Sequence, residues 1–230
     1  MVTGGTRGIG RAVAVGYAKE GAAVACCGRD ETELARLVTE IGAQAGVARG
    51  FVADLVHPEE GVRVVGEVVR DFGTIDVLVN NASVLGPRIE VTQYPLDEWE
   101  VVLRVNLTAP FVLAKEVMPI MLREGHGSII NVSSGVGRTG KAAWGAYAVS
   151  KFGVEGLTQV LAAEMKIFNI RVNSLNPGAT RTSMRAAAYP EEDPLTLPAP
   201  TALVDGFVYL ASDESRHVTG QSLDARDWLK

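Results

Sequence analysis

Long apolar runs, clusters of metal-ligating side chains and blocks of like charge are all missing from this sequence. Its two cysteines, Cys26 and Cys27, are adjacent inside an apolar run. Neighbours on a strand point to opposite faces, which argues against a disulfide between them and for two small buried thiols in a reducing compartment. Three histidines, His57, His126 and His217, stand in loop-like settings without metal-ligand spacing. They read as incidental surface residues, and no metal site is expected. No apolar run reaches membrane-spanning length and no signal-peptide pattern is present, so the expectation is a cytoplasmic protein without a membrane partner. Charge is dispersed, 22 basic against 27 acidic residues for a net of -5, which gives no footprint for nucleic acid or an anionic surface. Linkers and low-complexity segments are lacking too.

What is present is a chain of 230 residues, 47% of them hydrophobic, enough to bury the core of one domain. Apolar runs at 22–27, 47–53, 75–79, 128–132 and 170–175, with a weak one at 222–225, alternate with amphipathic stretches. The stretches lie near 7–20, 31–41, 59–72, 96–123, 146–168 and 201–210. Short runs dominated by apolar residues suit strands buried on both faces, as in a parallel sheet flanked by helices. This alternation predicts an α/β fold, a doubly wound parallel sheet of the Rossmann type, in a single domain spanning 1–230.

The glycine-rich stretch Thr3-Gly4-Gly5-Thr6-Arg7-Gly8-Ile9-Gly10 leads from a strand end directly into a helix. Glycines let the backbone approach a pyrophosphate, and a helix N-terminus favours its charge. Gly4, Thr6, Arg7, Gly8, Ile9 and Gly10 are therefore candidate dinucleotide contacts. The second strand ends Cys26-Cys27-Gly28-Arg29-Asp30. In dinucleotide-binding folds an acid here meets the ribose 2′-hydroxyl, whereas an arginine accommodates a 2′-phosphate. Gly28 holds the acidic position and Arg29 follows, with Arg7 approaching from the glycine loop, so NADP (NADPH) is expected over NAD. The alternative is two solvated arginines, with Asp30 as the acid determinant or as a helix N-cap.

The stretch Asn131–Lys151 places Tyr147 four residues before Lys151 and Ser134 thirteen before Tyr147. On a helix, positions i and i+4 share a face, so the phenol and the ammonium point into the same space. A fixed cation beside a phenol favours the phenolate and lowers its pKa, and a serine hydroxyl from a strand end can stabilise charge developing on a carbonyl oxygen. Upstream, Pro110 follows Asn106 by four residues. Proline lacks an N–H, which predicts a kink and a carbonyl of Asn106 without its helical partner. That carbonyl could hold a water, or the kink could simply fit the helix to the core.

Together these motifs resemble the short-chain dehydrogenase/reductase family, from Thr3 to about Ala225. The glycine spacing T-G-x3-G-x-G is that family's, Asn80-Asn81-Ala82-Ser83 resembles its NNAG segment with Ser83 in place of glycine, and Pro177-Gly178-Ala179-Thr180-Arg181-Thr182 resembles its PGxxxT segment. The resemblance implies a catalytic set of Asn106, Ser134, Tyr147 and Lys151. Tyr147 would be the proton donor, Ser134 the carbonyl holder, Lys151 a nicotinamide-ribose ligand that lowers the Tyr147 pKa, and Asn106 the holder of a relay water. It also implies cofactor contacts at Asp54 and Leu55 near the adenine and at Asn80 and Ala82 in the cavity wall, where the asparagines could instead be wholly structural. Further contacts are implied at Pro177, Gly178, Ala179 and Thr182 near the nicotinamide amide.

The expected reaction is hydride transfer between NADP(H) and a carbonyl or alcohol substrate. Trp144, Leu85, Met184 and Tyr189 are expected to line an apolar pocket, and similarity to 3-oxoacyl-carrier-protein reductases suggests a 3-oxoacyl thioester. Alternatives on the same fold are a sugar-nucleotide epimerase or dehydratase and a non-catalytic NADP sensor. The family implies a homo-oligomer, a tetramer or dimer. Prolines 190, 194, 198 and 200 and the acids 191–193 mark 183–200 as a long irregular loop, a candidate substrate lid. Only Met1 and Val2 precede Thr3, whereas strands run to about five or six residues. The expectation is therefore a truncated first strand, with ladder groups of its neighbours left without partners.

Overall fold

In the computed structural model, which describes residues 1–229, seven parallel strands form one sheet with helices on both faces. The chain runs β1 Val2–Thr3, α1 Gly8–Lys19, β2 Val24–Gly28, α2 Glu31–Gly42, β3 Ala48–Val52, α3 Pro58–Phe72 and β4 Val77–Asn80. It continues through α4 Leu96–Leu103, α5 Ala109–Glu124, β5 Gly127–Val132, α6 Gly145–Met165, β6 Ile170–Asn176, α7 Ser183–Ala188, α8 Val204–Ala211 and β7 Ser222–Asp224. Strand order is β3-β2-β1-β4-β5-β6-β7, so the order reverses between β1 and β4. At such a switch point the connections leave in opposite directions and open a crevice at the carboxyl ends of the strands.

Burial follows position in the sheet. β5 is buried along its whole length, while edge strand β3 leaves Val52 and Arg49 exposed. One core cluster packs α3, α5 and α6 on one face through Val64, Leu113, Val117, Met121 and Leu161. The other packs α1, α2 and α8 on the opposite face through Val13, Leu37, Ile41, Phe207 and Leu210. Cys26 and Cys27 point to opposite clusters as free buried thiols, each pushed up to about 12 by desolvation.

β1 is two residues long, and Val2 pairs with both Cys26 and Val79. On the β4 side pairing continues through Met1, whose carbonyl accepts from Val79 N–H at 2.9 Å and whose ammonium donates to Val77 O at 2.7 Å. The groups of β4 expected to lack partners therefore have them.

Where Pro110 predicts a kink, the helix from 96 to 124 is distorted. A π turn at 104–108 takes up one extra residue, with the Ala109 N–H bonded to Arg104 O, and Pro110, having no N–H, cannot donate to Asn106 O four residues before it. Two further expectations need correction. These 29 residues also reach the length and hydropathy of a membrane span, contrary to the reading of the sequence, although half of the apolar stretch is buried inside the fold. Nor is 183–200 irregular throughout. Its first six residues form α7, because the Thr182 hydroxyl caps the helix by accepting from Arg185 N–H at 3.2 Å and three alanines complete it.

Candidate active site

The crevice at the β1/β4 switch point is a cavity of about 270 Å³. Its floor is the turn after β1. Gly4 has φ of +64°, and a Cβ there would sit 2.9 Å from Ala82 Cα. Asn81 locks this turn: its Nδ2 donates to Thr3 O at 2.9 Å and Gly4 O at 3.2 Å, and its backbone N–H donates to Thr3 Oγ1 at 2.9 Å. The loops after β1 and β4 thus meet as one wall, with the N-terminus of α1 opening onto it.

Of the expected contacts, Gly4, Thr6, Arg7, Gly8, Ile9, Arg29, Asp54, Leu55, Ala82, Pro177, Gly178 and Thr182 line the cavity, together with Ser134, Tyr147 and Lys151. Four do not. Gly10 is a packing spacer: a Cβ there would lie 2.3 Å from Gly4 O and 2.4 Å from Asn81 Nδ2. Asn80 is 4% exposed and turned beneath the floor, donating to Asn131 Oδ1 at 2.8 Å, while Asn131 donates to Thr158 Oγ1 at 2.9 Å. The Ala179 carbonyl is held by Arg226 outside the cavity, and the neighbouring Thr180 faces inward instead. Asn106 sits behind the wall. Its Oδ1 accepts from Val84 N–H at 2.8 Å, and its Nδ2 donates to Val84 O at 2.9 Å and Ser150 Oγ at 3.1 Å. What this asparagine holds through its side chain is the loop after β4 and the first turns of α6.

Ser134 leaves β5 in extended conformation at the start of a 3₁₀ turn, and α6 carries Tyr147 and Lys151 on one face. The Tyr147 phenol does not have the lowered pKa expected from its neighbour. Desolvation pushes it up to about 12, and the hydroxyls of Ser134 and Ser83 offset only part of this. Lys151 is turned away, donating to Val132 O at 2.8 Å with its Nζ 5.6 Å from the Tyr147 ring centre. Burial takes Lys151 down to about 8, opposed by the charge of Glu155. Desolvation is the largest cause of both shifts, because each group is charged in one of its forms and is held away from water. Glu155, itself 8% exposed, accepts from Ser133 Oγ and from Ser174 Oγ at 2.7 Å, with Arg138 Nε 3.6 Å away.

At the far end of β2, Asp30 is the N-cap of α2, accepting from Glu33 N–H at 3.0 Å. Gly28 offers no side chain, and a Cβ there would meet Thr6 Cγ2 at 2.7 Å. Arg29 is exposed, 3.9 Å from Asp54. Asp54 also accepts from Val56 N–H at 3.1 Å.

At the other end Trp144, Leu85 and Met184 line the cavity as expected, whereas Tyr189 stacks behind Trp144 with ring centres 6.0 Å apart. Asn81, Ser83, Thr180 and Arg185 also face the cavity and were not singled out from the sequence. Asn81 was within reach as the partner of Asn80, but a strand's two-residue period cannot say which of two asparagines at its end turns outward. Arg185 carried no local signal, since its place depends on α7.

Strand order, glycine turn and the tyrosine–lysine helix together define a dinucleotide-binding oxidoreductase fold, and comparison with known proteins agrees. The family model for short chain dehydrogenases matches residues 1–193, and the chain belongs to that oxidoreductase family. More particularly, it is 38% identical over 233 residues to the uncharacterized oxidoreductase YciK of Escherichia coli, covering all of this chain and 92% of that protein. It is 36% identical to the 3-oxoacyl-[acyl-carrier-protein] reductase FabG of Thermotoga maritima, over 96% of this chain and 93% of the relative. Among solved structures, a short chain dehydrogenase from Shigella flexneri complexed with NADP superposes with a TM-score of 0.94 at 38% identity, covering 98% of this chain and 95% of that one.

Proposed function

We propose that this protein transfers hydride reversibly between NADP(H) and the carbonyl or alcohol carbon of a small molecule, with Ser134, Tyr147 and Lys151 as reacting groups and Asn106 as a positioning residue. The observation that carries this reading is the convergence of the glycine turn, Ser134, Tyr147 and Lys151 on one cavity. The cavity fits a dinucleotide on its own terms. Gly8 has φ of +56°, and a Cβ there would project to within 3.4 Å of the Thr182 side chain, into the space a pyrophosphate would need. The capping of α2 by Asp30 and the bare Gly28 leave Arg29 and Arg7 to meet a 2′-phosphate, which favours NADP(H). Relatives complexed with NADP and NADPH support the same choice. Thr6, Ile9, Asp54, Leu55, Ala82, Pro177, Gly178 and Thr182 would complete the site, and when bound the nicotinamide supplies or accepts the hydride.

In the reducing direction Tyr147 holds the proton to be given. A phenol at about 12 is fully protonated at neutral pH, so its O–H is ready to donate to a carbonyl oxygen as charge develops there. Ser134 Oγ donates a second hydrogen bond to the same oxygen. Lys151 brings the compensating positive charge, and Glu155 keeps more of it protonated than burial alone would allow. Asn106 fixes the loop that carries Ser83 and Val84 against α6.

An apolar carbonyl compound such as a 3-oxoacyl thioester suits Trp144, Leu85 and Met184, and several relatives are 3-oxoacyl-[acyl-carrier-protein] reductases. The segment 183–200 covers this end as a substrate loop. Val149, Phe152 and Val160 form an exposed apolar line on α6, with Phe111 exposed on α5, which supports a homo-oligomer joined through these helices. The two free thiols suit the cytoplasm. The test is a panel of ketones, aldehydes and 3-oxoacyl thioesters followed by NADPH absorbance. If no compound is reduced faster by the parent than by Tyr147→Phe, the reading fails.

A further inference from the structure

Hydride transfer leaves one feature beside the cavity unexplained. Three cations surround the ring of Tyr189: Arg185 at 3.8 Å from its centre, Arg88 at 4.7 Å and Lys141 at 5.3 Å. Arg88 also lies 4.8 Å from the Trp144 ring, so its guanidinium is held between two aromatic faces. Cation–π contacts of this kind stabilise a charge that has lost part of its water. One carboxylate serves the group. Glu192 accepts two bonds from Arg185, each 2.6 Å, in the forked geometry that a guanidinium offers a carboxylate. Among the described residues Arg88 and Lys141 have no carboxylate partner. Arg88 donates to the Ala188 carbonyl and keeps a buried Nε without an acceptor, while Lys141 donates to the Tyr189 hydroxyl at 2.8 Å.

The cluster therefore carries more positive than negative charge in a chain whose net charge is -5. Its position ties it to the reaction. Arg185 lines the cavity that holds Tyr147, next to Met184 and Trp144. The Trp144 ring lies 5.6 Å from that of Tyr147, which keeps the Arg88 guanidinium within about 10 Å of the Tyr147 ring. Positive charge on low-dielectric walls draws anions toward it. The Arg185 and Glu192 side chains are both partly exposed, so Glu192 can return to water if another carboxylate takes over its forked bonds to Arg185.

We propose that the cavity takes carbonyl compounds bearing a carboxylate a short distance from the carbonyl, and that Arg185 receives this carboxylate in place of Glu192. Lys141 adds charge at the rim, and Arg88, fixed between Trp144 and Tyr189, supplies positive charge from behind. Glu192 is then an internal competitor for the substrate's anionic end. The orientation of the substrate rests on the hydride-transfer reading; the carboxylate site does not.

The test uses para-formylbenzoate and its methyl ester as probes, titrated calorimetrically into the full chain without reduced cofactor. The parent is expected to bind the acid at least about tenfold more tightly than the ester, a difference of about 1.4 kcal/mol. Arg185→Gln should abolish the preference. Glu192→Gln should strengthen binding of the acid severalfold and leave the ester unchanged. Lys141→Gln, which lies outside α7 and leaves its cap intact, should reduce the preference even if Arg185→Gln disturbs the helix. Equal binding of the two probes, binding of neither, or a preference that survives both Arg185→Gln and Lys141→Gln overturns the proposal. NADPH oxidation with each probe is read separately. Selective binding of the acid without turnover of either probe counts against hydride transfer and leaves the carboxylate site standing; equal binding and turnover of both does the reverse.

Discussion

Replacing Gly10 by alanine tests whether the glycine turn is set by packing or by a ligand. In the structure a Cβ at this position would lie 2.3 Å from Gly4 O and 2.4 Å from Asn81 Nδ2. Neither atom can yield cheaply. The first is backbone in a turn with φ of +64°, and the second is held by hydrogen bonds to Thr3 O and Gly4 O. Overpacking of this kind costs roughly 1–3 kcal/mol, and losing one Asn81 bond adds about 1 kcal/mol. Against this, alanine is favoured over glycine inside a helix by about 1 kcal/mol. The net loss is about 1–3 kcal/mol, which for a domain of this size lowers Tm by roughly 2–12 °C at 2–4 °C per kcal/mol. Gly66, in the middle of α3, is the matched control because a Cβ there meets nothing within 4 Å. Gly66→Ala should raise Tm by about 2–4 °C, since only the helix-propensity gain applies. Thermal unfolding followed by circular dichroism, without cofactor, reads both. If Gly10→Ala melts with or above the parent while Gly66→Ala behaves as expected, the packing argument is wrong.

Tyr147→Phe should lower kcat/KM at least a hundredfold, about 2.7 kcal/mol, while NADPH affinity changes little; retention of a tenth of the activity would remove the phenol from the proton-donor role. Cofactor preference should shift from NADPH toward NADH on combining Arg29→Leu, Gly28→Asp and Thr6→Ser. The last change is needed because the new side chain would otherwise meet Thr6 Cγ2 at 2.7 Å, and an unchanged ratio of the two kcat/KM values would count against the reading of Arg29. For pH, the Lys151 ammonium is lost as pH rises through about 8, so reduction should decline above that point while Tyr147 remains protonated. Glu155→Gln should move the decline to lower pH, because the charge opposing deprotonation is gone; a profile flat to pH values well beyond 8 in the parent would contradict this. The depressed value also means that between about 8 and the ordinary lysine range the unfolded chain binds more protons at this position. Its contribution to stability therefore rises with pH across that window.

Much of the scaffold was legible because its signals are local. Runs such as Ser128–Val132 and Ile170–Leu175 carry isoleucine, valine or leucine at half or more of their positions, which suits a strand buried on both faces, and the structure has strands there within a residue or so. The prolines and acids that follow Thr182 mask its cap in the sequence, so 183–188 reads as loop although it is helical. The choice between Asn80 and Asn81 was open for a different reason. Both follow a buried strand, and only contact with the Thr3-Gly4 turn, some 77 residues away along the chain, sends Asn81 upward and leaves Asn80 below.

The sequence by itself determined the alternation of strands and helices, the glycine turn at the head of α1, and the placing of Tyr147 and Lys151 on one helical face. These follow from periodicity and from what each residue type permits to its own backbone. Tertiary structure alone decided how charged and polar groups behave once assembled. It set the Tyr147 phenol to about 12 rather than lower and brought Lys151 to about 8. It gathered Arg88, Lys141, Arg185 and Glu192 around Tyr189. Such properties depend on desolvation and on distances between groups far apart in the chain, and neither quantity exists until the fold has closed around them.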